Sequence, residues 1–190
     1  MSAFLALDLS IRSTGYALWS RGMAWPQSGT WELAPHVDHA GRAFVRLHQH
    51  LLALHRGNSI GELVFEEAVP AHQLHGNTNA VTLAAAAGLA AHAMSFAEAI
   101  GCRWRSVSIR AWRKHFIGSV PRGTKTPDLK HMTMSRCREL GFEPVKHDEG
   151  EAIGLLDYQL GVAGIVPPWR QTHVLQREMT PATDGARAAP

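Results

Sequence analysis

Four acidic residues stand where a carboxylate is either costly or aimed at something. Asp8 ends the apolar run Phe4-Leu5-Ala6-Leu7, and Glu66 ends a second run, Leu63-Val64-Phe65. Asp148 and Glu151 open a helical stretch three residues apart, so they share a face. A carboxylate in an otherwise buried strand is expensive unless something pairs it. Each acid has a plain structural explanation. Asp8 can close the following turn through Ser10 or Ser13, and acids in a first helical turn complement the helix dipole. The alternative joins all four in one pocket, provided the two strands are neighbours and the helix crosses their ends. Four like charges cannot stay ionised together without cations. Carboxylate oxygens and water suit Mg²⁺ or Mn²⁺. Two such ions about 3.5–4 Å apart activate a water and stabilise the leaving oxygen of an in-line phosphoryl displacement. Glu67 competes with Glu66, because strand alternation admits only one of them to a given face.

The elements that must position these acids follow from periodicity. After the first strand, residues 15–19 and 28–33 read as two more strands, separated by Gly22 and by Pro26-Gln27-Ser28-Gly29. Val37, Ala40, Phe44, Leu47, Leu51 and Leu54 form one apolar helical stripe, with Arg42, Arg46, His48 and His50 on the solvent side. Residues 63–67 are a strand. Asn77 offers a cap for an Ala-rich helix running to about Ile100, stopped by Gly101. Its small residues Ala80, Ala84, Ala87, Gly88 and Ala91 permit close approach to a sheet or a second subunit. Residues 103–109 alternate as a fifth strand, and Arg110 to Phe116 form a helical turn. Residues 118–127 are a basic loop, Asp128 to Leu140 a helix stopped by Gly141, and His147 opens a last helix to about Leu160. The order βββ-α-β-α-β-α-α predicts an α/β fold: a mixed five-stranded sheet, its first three strands an antiparallel meander, with helices on both faces. Residues 1–166 form one domain, and 167–190 a C-terminal tail that docks briefly and then becomes disordered.

The chain has 190 residues and a formal charge of +3, unevenly spread. Between Arg103 and Arg138 lie ten of its 19 Lys and Arg residues against a single acid, Asp128. Such a field attracts a polyanion such as nucleic acid. Arg113, Lys114, Arg122, Lys125 and Lys130 are the expected DNA contacts within it. Cys102 and Cys137 belong to no CxxC or Cys/His cluster, so a structural zinc site is not expected, and reduced thiols in a cytosolic protein are. The N-terminus has no signal-peptide pattern. The Ala-rich stretch carries Thr82, His92, Ser95 and Glu98 and reads as a packed helix rather than a membrane span. Of the tryptophans, Trp19, Trp25, Trp31 and Trp104 are expected in the core. Trp112, beside Arg110, Arg113 and Lys114, is the one to test against DNA, with burial the default.

Together these motifs resemble the RuvC-type Holliday-junction resolvases. Leu5-Ala6-Leu7-Asp8-Leu9-Ser10 with Thr14-Gly15-Tyr16-Ala17 looks like their opening motif, and Val64-Phe65-Glu66 like their second acidic strand. Residues 77–88 look like their small-residue helix. Gly118, Lys125 and His131-Met132 fall where the family has its glycine, lysine and helix pattern. Asp148-Glu149-Gly150-Glu151-Ala152 looks like their closing acidic motif. The likeness runs over about residues 4–162, in order. It implies a ribonuclease H-like fold and a homodimer whose two-fold symmetry matches a four-way DNA junction. Each subunit would cut one of two strands of like polarity, using two Mg²⁺ ions per site, with Mn²⁺ as substitute. Asp8, Glu66, Asp148 and Glu151 take the places of the metal-binding carboxylates. Lys125 takes that of a basic residue near the scissile phosphate, and Arg113 or Lys114 that of another.

Two departures stand out. Glu151 replaces an aspartate, and the loop after Glu66 lacks the aromatic with which cellular members stack on an unpaired base. His72, Leu74 or His75 would have to serve there. With a slightly longer basic loop, these differences suit a phage or prophage branch working in the host cytoplasm. Two other classes compete. Asp8 with Thr14-Gly15 faintly resembles the first phosphate loop of sugar kinases and actin-like ATPases, whose second loop and length are missing. A module that binds branched DNA without cutting it is compatible with the spacing, although it leaves the retention of four carboxylates unexplained.

Overall fold

In the computed structural model, which describes residues 2–67 and 80–171, strand alternation sorts the chain into two layers around one sheet. The strands are β1 (Ala3–Asp8), β2 (Thr14–Trp19), β3 (Gln27–Trp31), β4 (Ile60–Glu66) and β5 (Arg103–Val107), in the order β3-β2-β1-β4-β5. β1, β2 and β3 pair antiparallel, and β4 and β5 add on parallel to β1. The helices are α1 (Ala40–Asn58), α2 (Ala80–Ala99), α3 (Ile109–Ile117), α4 (Thr126–Glu139) and α5 (His147–Val162). The mixed sheet with its antiparallel meander is the architecture expected from the element order.

Leu5, Leu7, Leu18, Leu63 and Phe65 point to one face and pack with Leu47, Leu51 and Leu54 of α1 and Ala85, Leu89 and Ala93 of α2. Ala6, Ala17, Trp19 and Val64 point to the other, against Trp112 and Phe116 of α3 and Ile153, Leu155 and Leu156 of α5. Each fully buried large side chain of this kind contributes about 1.5–3 kcal/mol. α5 is buried nearly all round because it lies between the sheet and α3 and α4. The period of two puts Asp8 on the α5 side with Ala6, and Glu66 there with Val64.

The turn after β1 closes without Asp8. Thr14 Oγ1 donates to the Ser10 carbonyl at 2.7 Å and accepts from the Ser10 N–H at 3.1 Å, so the turn-closing explanation of Asp8 does not hold. α4 begins at Thr126 rather than Asp128, with Pro127 inside its first turn. Trp19 and Trp31 are buried as expected, and so is Trp112, but Trp25 is 50% exposed and Trp104 38%. Trp104 sits on the edge strand, stacked on Phe65 and with its indole N–H donating to Glu98 Oε1 at 2.8 Å. Trp25 lies in the β2–β3 connection and leans on Phe142. His48 and His50 are not free surface groups. His48 Nε2 lies 2.9 Å from His92 Nδ1 of α2, and His50 stacks on Trp31 at 4.8 Å.

Cys102 and Cys137 are unbridged and buried. Burial pushes their thiols up to about 11 and about 12, which leaves neither a ready thiolate ligand. α2 is long and apolar enough to cross a bilayer by length and composition. Its Ala85, Leu89, Ala93, Phe96 and Ala97 are nevertheless buried in the protein, while Ala80, Ala84, Ala87 and Ala91 form an exposed small-residue face. After α5, Trp169 packs edge-on against Trp19 and Phe142. His72 and Asn77 lie outside the described residues.

Candidate metal and nucleic-acid site

The acids meet because two parallel strands end together under one helix. The register pairs Ala6 with Val64 and Leu7 with Phe65, which brings Asp8 and Glu66 out at the same level of the sheet. α5 crosses this end so closely that a Cβ on Gly15, the partner of Asp8 on β2, would lie 1.9 Å from the Asp148 carbonyl oxygen. Glycine at position 15 is therefore what lets the first turn of α5 reach β1. In that turn, Glu149 does the structural work. It accepts from the Val145 N–H at 2.9 Å and from Ser28 Oγ at 2.8 Å. Asp148 and Glu151 are left to turn inward.

One carboxylate oxygen from each of Asp8, Asp148 and Glu151 lies within 4.8 Å of the others. Asp8 and Asp148 are half-buried and Glu151 is buried. Burial raises the Asp8 carboxyl well above the usual range, and the charges of Glu151, Glu66 and Asp148 raise it further against the opposing pull of Lys130. Glu66 is also raised, chiefly by burial. The Trp112 indole N–H, which donates to its Oε2 at 3.0 Å, and Arg113 hold it back. Glu66 thus borders the trio with one oxygen fixed by Trp112. Glu67 is exposed, and its N–H continues the ladder to the Val107 carbonyl at 2.8 Å.

Among the described residues, two cations reach these acids. Arg113 is buried and ion-pairs with Glu151 Oε1. Lys130 Nζ lies 3.7 Å from Glu151 Oε2 and 3.9 Å from Asp148 Oδ1. Four carboxylates facing two cations leave two negative charges uncompensated. A divalent cation fits that deficit and the hard oxygen donor set.

The basic residues named from the sequence divide into two groups. Arg113 and Lys130 stand in the acid cluster. Lys114, Arg122 and Lys125 are exposed, and Lys125 precedes α4 instead of entering the cluster. Arg110, Lys114 and Arg122 line a cavity of about 630 Å³ together with the 118–124 loop, and Arg113 closes it toward the carboxylates. Nothing in the local sequence pattern separates Lys130 from Lys125. The signal was the helix phase of α4, which depends on Pro127 lying inside the helix.

Sheet order, crossing helix and site position define a RuvC-type, ribonuclease H-like α/β fold. Among solved structures, the chain is similar to RuvC of Thermus thermophilus in complex with a Holliday junction substrate. The TM-score is 0.63 at 11% identity, over 86% of this chain and 96% of that one. The same bacterium's RuvC in a second structure gives 0.59 at 14% identity, over 87% and 99%. The yeast mitochondrial Holliday junction resolvase Ydc2 gives 0.53 at 9% identity, over 89% and 80%. No family profile matches the chain, and no curated protein does. At these identities the likeness establishes the fold.

Proposed function

We propose that this chain is a metal-dependent, structure-selective endodeoxyribonuclease that resolves four-way DNA junctions. The observation that carries the reading is the under-neutralised trio Asp8, Asp148 and Glu151 at the end of β1 and β4, bordered by Glu66. It is supported by the fold shared with junction resolvases. Asp8, Asp148 and Glu151, with the free oxygen of Glu66, would hold Mg²⁺, with Mn²⁺ as substitute and two ions per site. Bound there, such ions supply Lewis acidity to the attacking water and the departing oxygen. Arg113 orients Glu151 and takes up part of its charge. Trp112 fixes the rotamer of Glu66. Lys130 offers an ammonium beside the carboxylates, where a phosphate oxygen would arrive. Arg110, Lys114, Arg122 and Lys125 follow the backbone beyond it.

The junction's two-fold symmetry asks for two copies, and the exposed small-residue face of α2 is the surface offered for pairing. The protein acts in the cytoplasm, the host's for a phage-encoded member. Residues 167–190 form a tail on the nuclease domain, anchored at Trp169.

A second reading, a module that binds branched DNA without cutting it, is favoured by one observation. The buried Arg113 on Glu151 could stand in for a cation. The two charges left uncompensated weigh against it.

A synthetic four-way junction incubated with Mg²⁺ or Mn²⁺ is expected to receive paired symmetric nicks, with linear duplex left intact and all cleavage lost in Asp8→Asn. Binding without cleavage under either metal would establish the module instead. Preference for flaps or forks would keep the nuclease and change its substrate.

A further inference from the structure

The basic segment of the sequence accounts for only one flank of the carboxylates. On the opposite flank, toward β2 and β3, the structure has a groove of about 570 Å³ that opens onto Asp148. Its walls come from four places in the chain: the β1–β2 turn with Ser10, Arg12 and Ser13, the segment after β3 with Glu32 and His36, the second turn of α1 with Arg46, and Lys146 just before α5. The sheet order β3-β2-β1-β4-β5 puts this groove and the cavity beside α3 on opposite sides of the acids.

Its chemistry is that of an anion track. Arg12 is exposed and has no ion-pair partner among the described residues. Arg46 is braced at the rim, donating to the carbonyls of Glu32 and Leu33 at 3.3 and 3.2 Å, with the rest of its guanidinium fork left over. Lys146 Nζ pairs with Glu32 Oε1 at 3.4 Å, an exposed contact of the weak kind that gives way to a stronger anion. Ser13 Oγ is buried in this wall and lacks a hydrogen-bond partner among the described residues, which leaves its O–H unspent beside the groove.

We infer that this groove seats the phosphodiester backbone of the DNA on the far side of the cleaved bond, with Arg12, Arg46 and Lys146 as phosphate contacts and Ser13 as a hydroxyl donor. The strand then runs from the cavity beside α3, across the carboxylates, into this groove. Glu32 shields Lys146 until DNA displaces it. The inference rests on the nuclease reading for its substrate.

The test is binding of a fluorescent four-way junction in EDTA, followed by anisotropy as salt is raised. Two phosphate contacts removed by Arg12→Ala with Lys146→Ala should lower the slope of log K against log salt by about 1.8, with weaker binding at low salt. Arg12→Lys with Lys146→Arg should keep the wild-type slope. Glu32→Gln should tighten binding a few-fold. A single neutral methylphosphonate linkage, moved along the strand, should weaken wild-type binding on both sides of the cut but the double-alanine variant on one side only. An unchanged slope and affinity in a double-alanine variant that melts like the wild type would overturn the groove. Cleavage by the wild type decides the nuclease reading separately. A protein that cuts but shows an indifferent slope loses only the groove. One that binds with the predicted slope change but never cuts loses only the nuclease, and one that binds no DNA loses both.

Discussion

α5 carries two kinds of carboxylate, and they are treated in opposite ways. Asp157, deep in the helix, is saturated with donors. Trp169 Nε1 reaches Oδ1 at 2.8 Å, Arg170 grips both oxygens at 2.9 and 2.7 Å, and His115 Nε2 lies 3.0 Å from Oδ2. This acid ties α3 and the segment after α5 into one body. Roughly two turns earlier, Asp148 and Glu151 share Arg113 and Lys130 with Asp8 and Glu66, and the charges do not cancel. A carboxylate kept for architecture recruits partners until it is neutral. A carboxylate kept for a cation is left short of them, and stability is given up to keep it so.

Neutralising the two kinds of acid should therefore have opposite effects. Asp8→Asn should abolish junction cleavage, by at least about a thousandfold, while raising the melting temperature of the metal-free protein by a few degrees, since it removes one charge from a repulsive cluster. A drop in melting temperature would erase the distinction. Asp157→Asn should lower stability by about 2–4 kcal/mol in denaturant titration, because it leaves the Arg170 and His115 side without its anion. Gly15→Ala probes how the two regions are held together. The added Cβ must push the start of α5 off β2. Roughly ten- to a hundredfold of the cleavage rate should be lost, with a stability cost of about 1–3 kcal/mol.

Much of this was legible in the sequence, for identifiable reasons. The apolar runs Phe4 to Leu7 and Leu63 to Phe65, each ending in an acid, predict both strands, since a short apolar run bounded by polar residues suits a strand buried on both faces. The stripe from Val37 to Leu54 is equally unambiguous. Trp25 and Trp104 were misplaced because an aromatic in a strand or turn does not reveal whether the strand lies at an edge. The His48–His92 contact joins helices whose relative phase no local pattern encodes. Arg12, Arg46 and Lys146 escaped because charge clustering along the chain is a poor guide to clustering in space. That Glu66 rather than Glu67 borders the trio needed the register with β1, and that Lys130 rather than Lys125 reaches it needed the start of α4.

The smallest expected effect is on pH dependence, and its sign is distinctive. Asp8 and Glu66 hold protons more tightly in the folded protein than in the unfolded chain. Between the ordinary carboxylate range and their raised values, the folded state binds more protons, so the metal-free protein should lose stability as pH rises through that window. Thermal melts across pH should show this loss in EDTA and much less of it with Mg²⁺ present or in Asp8→Asn.

The central claim is that the acid cluster is a divalent-cation site. Calorimetric titration of Mn²⁺ into the wild-type protein and Asp8→Asn tests it most directly. Titrated at a pH between the ordinary carboxylate range and the raised values of Asp8 and Glu66, wild type should bind saturably and release protons, so that the heat varies with the ionisation enthalpy of the buffer, and Asp8→Asn should lose most of both signals. Identical isotherms for the two proteins, or no saturable binding by the wild type, would contradict the account.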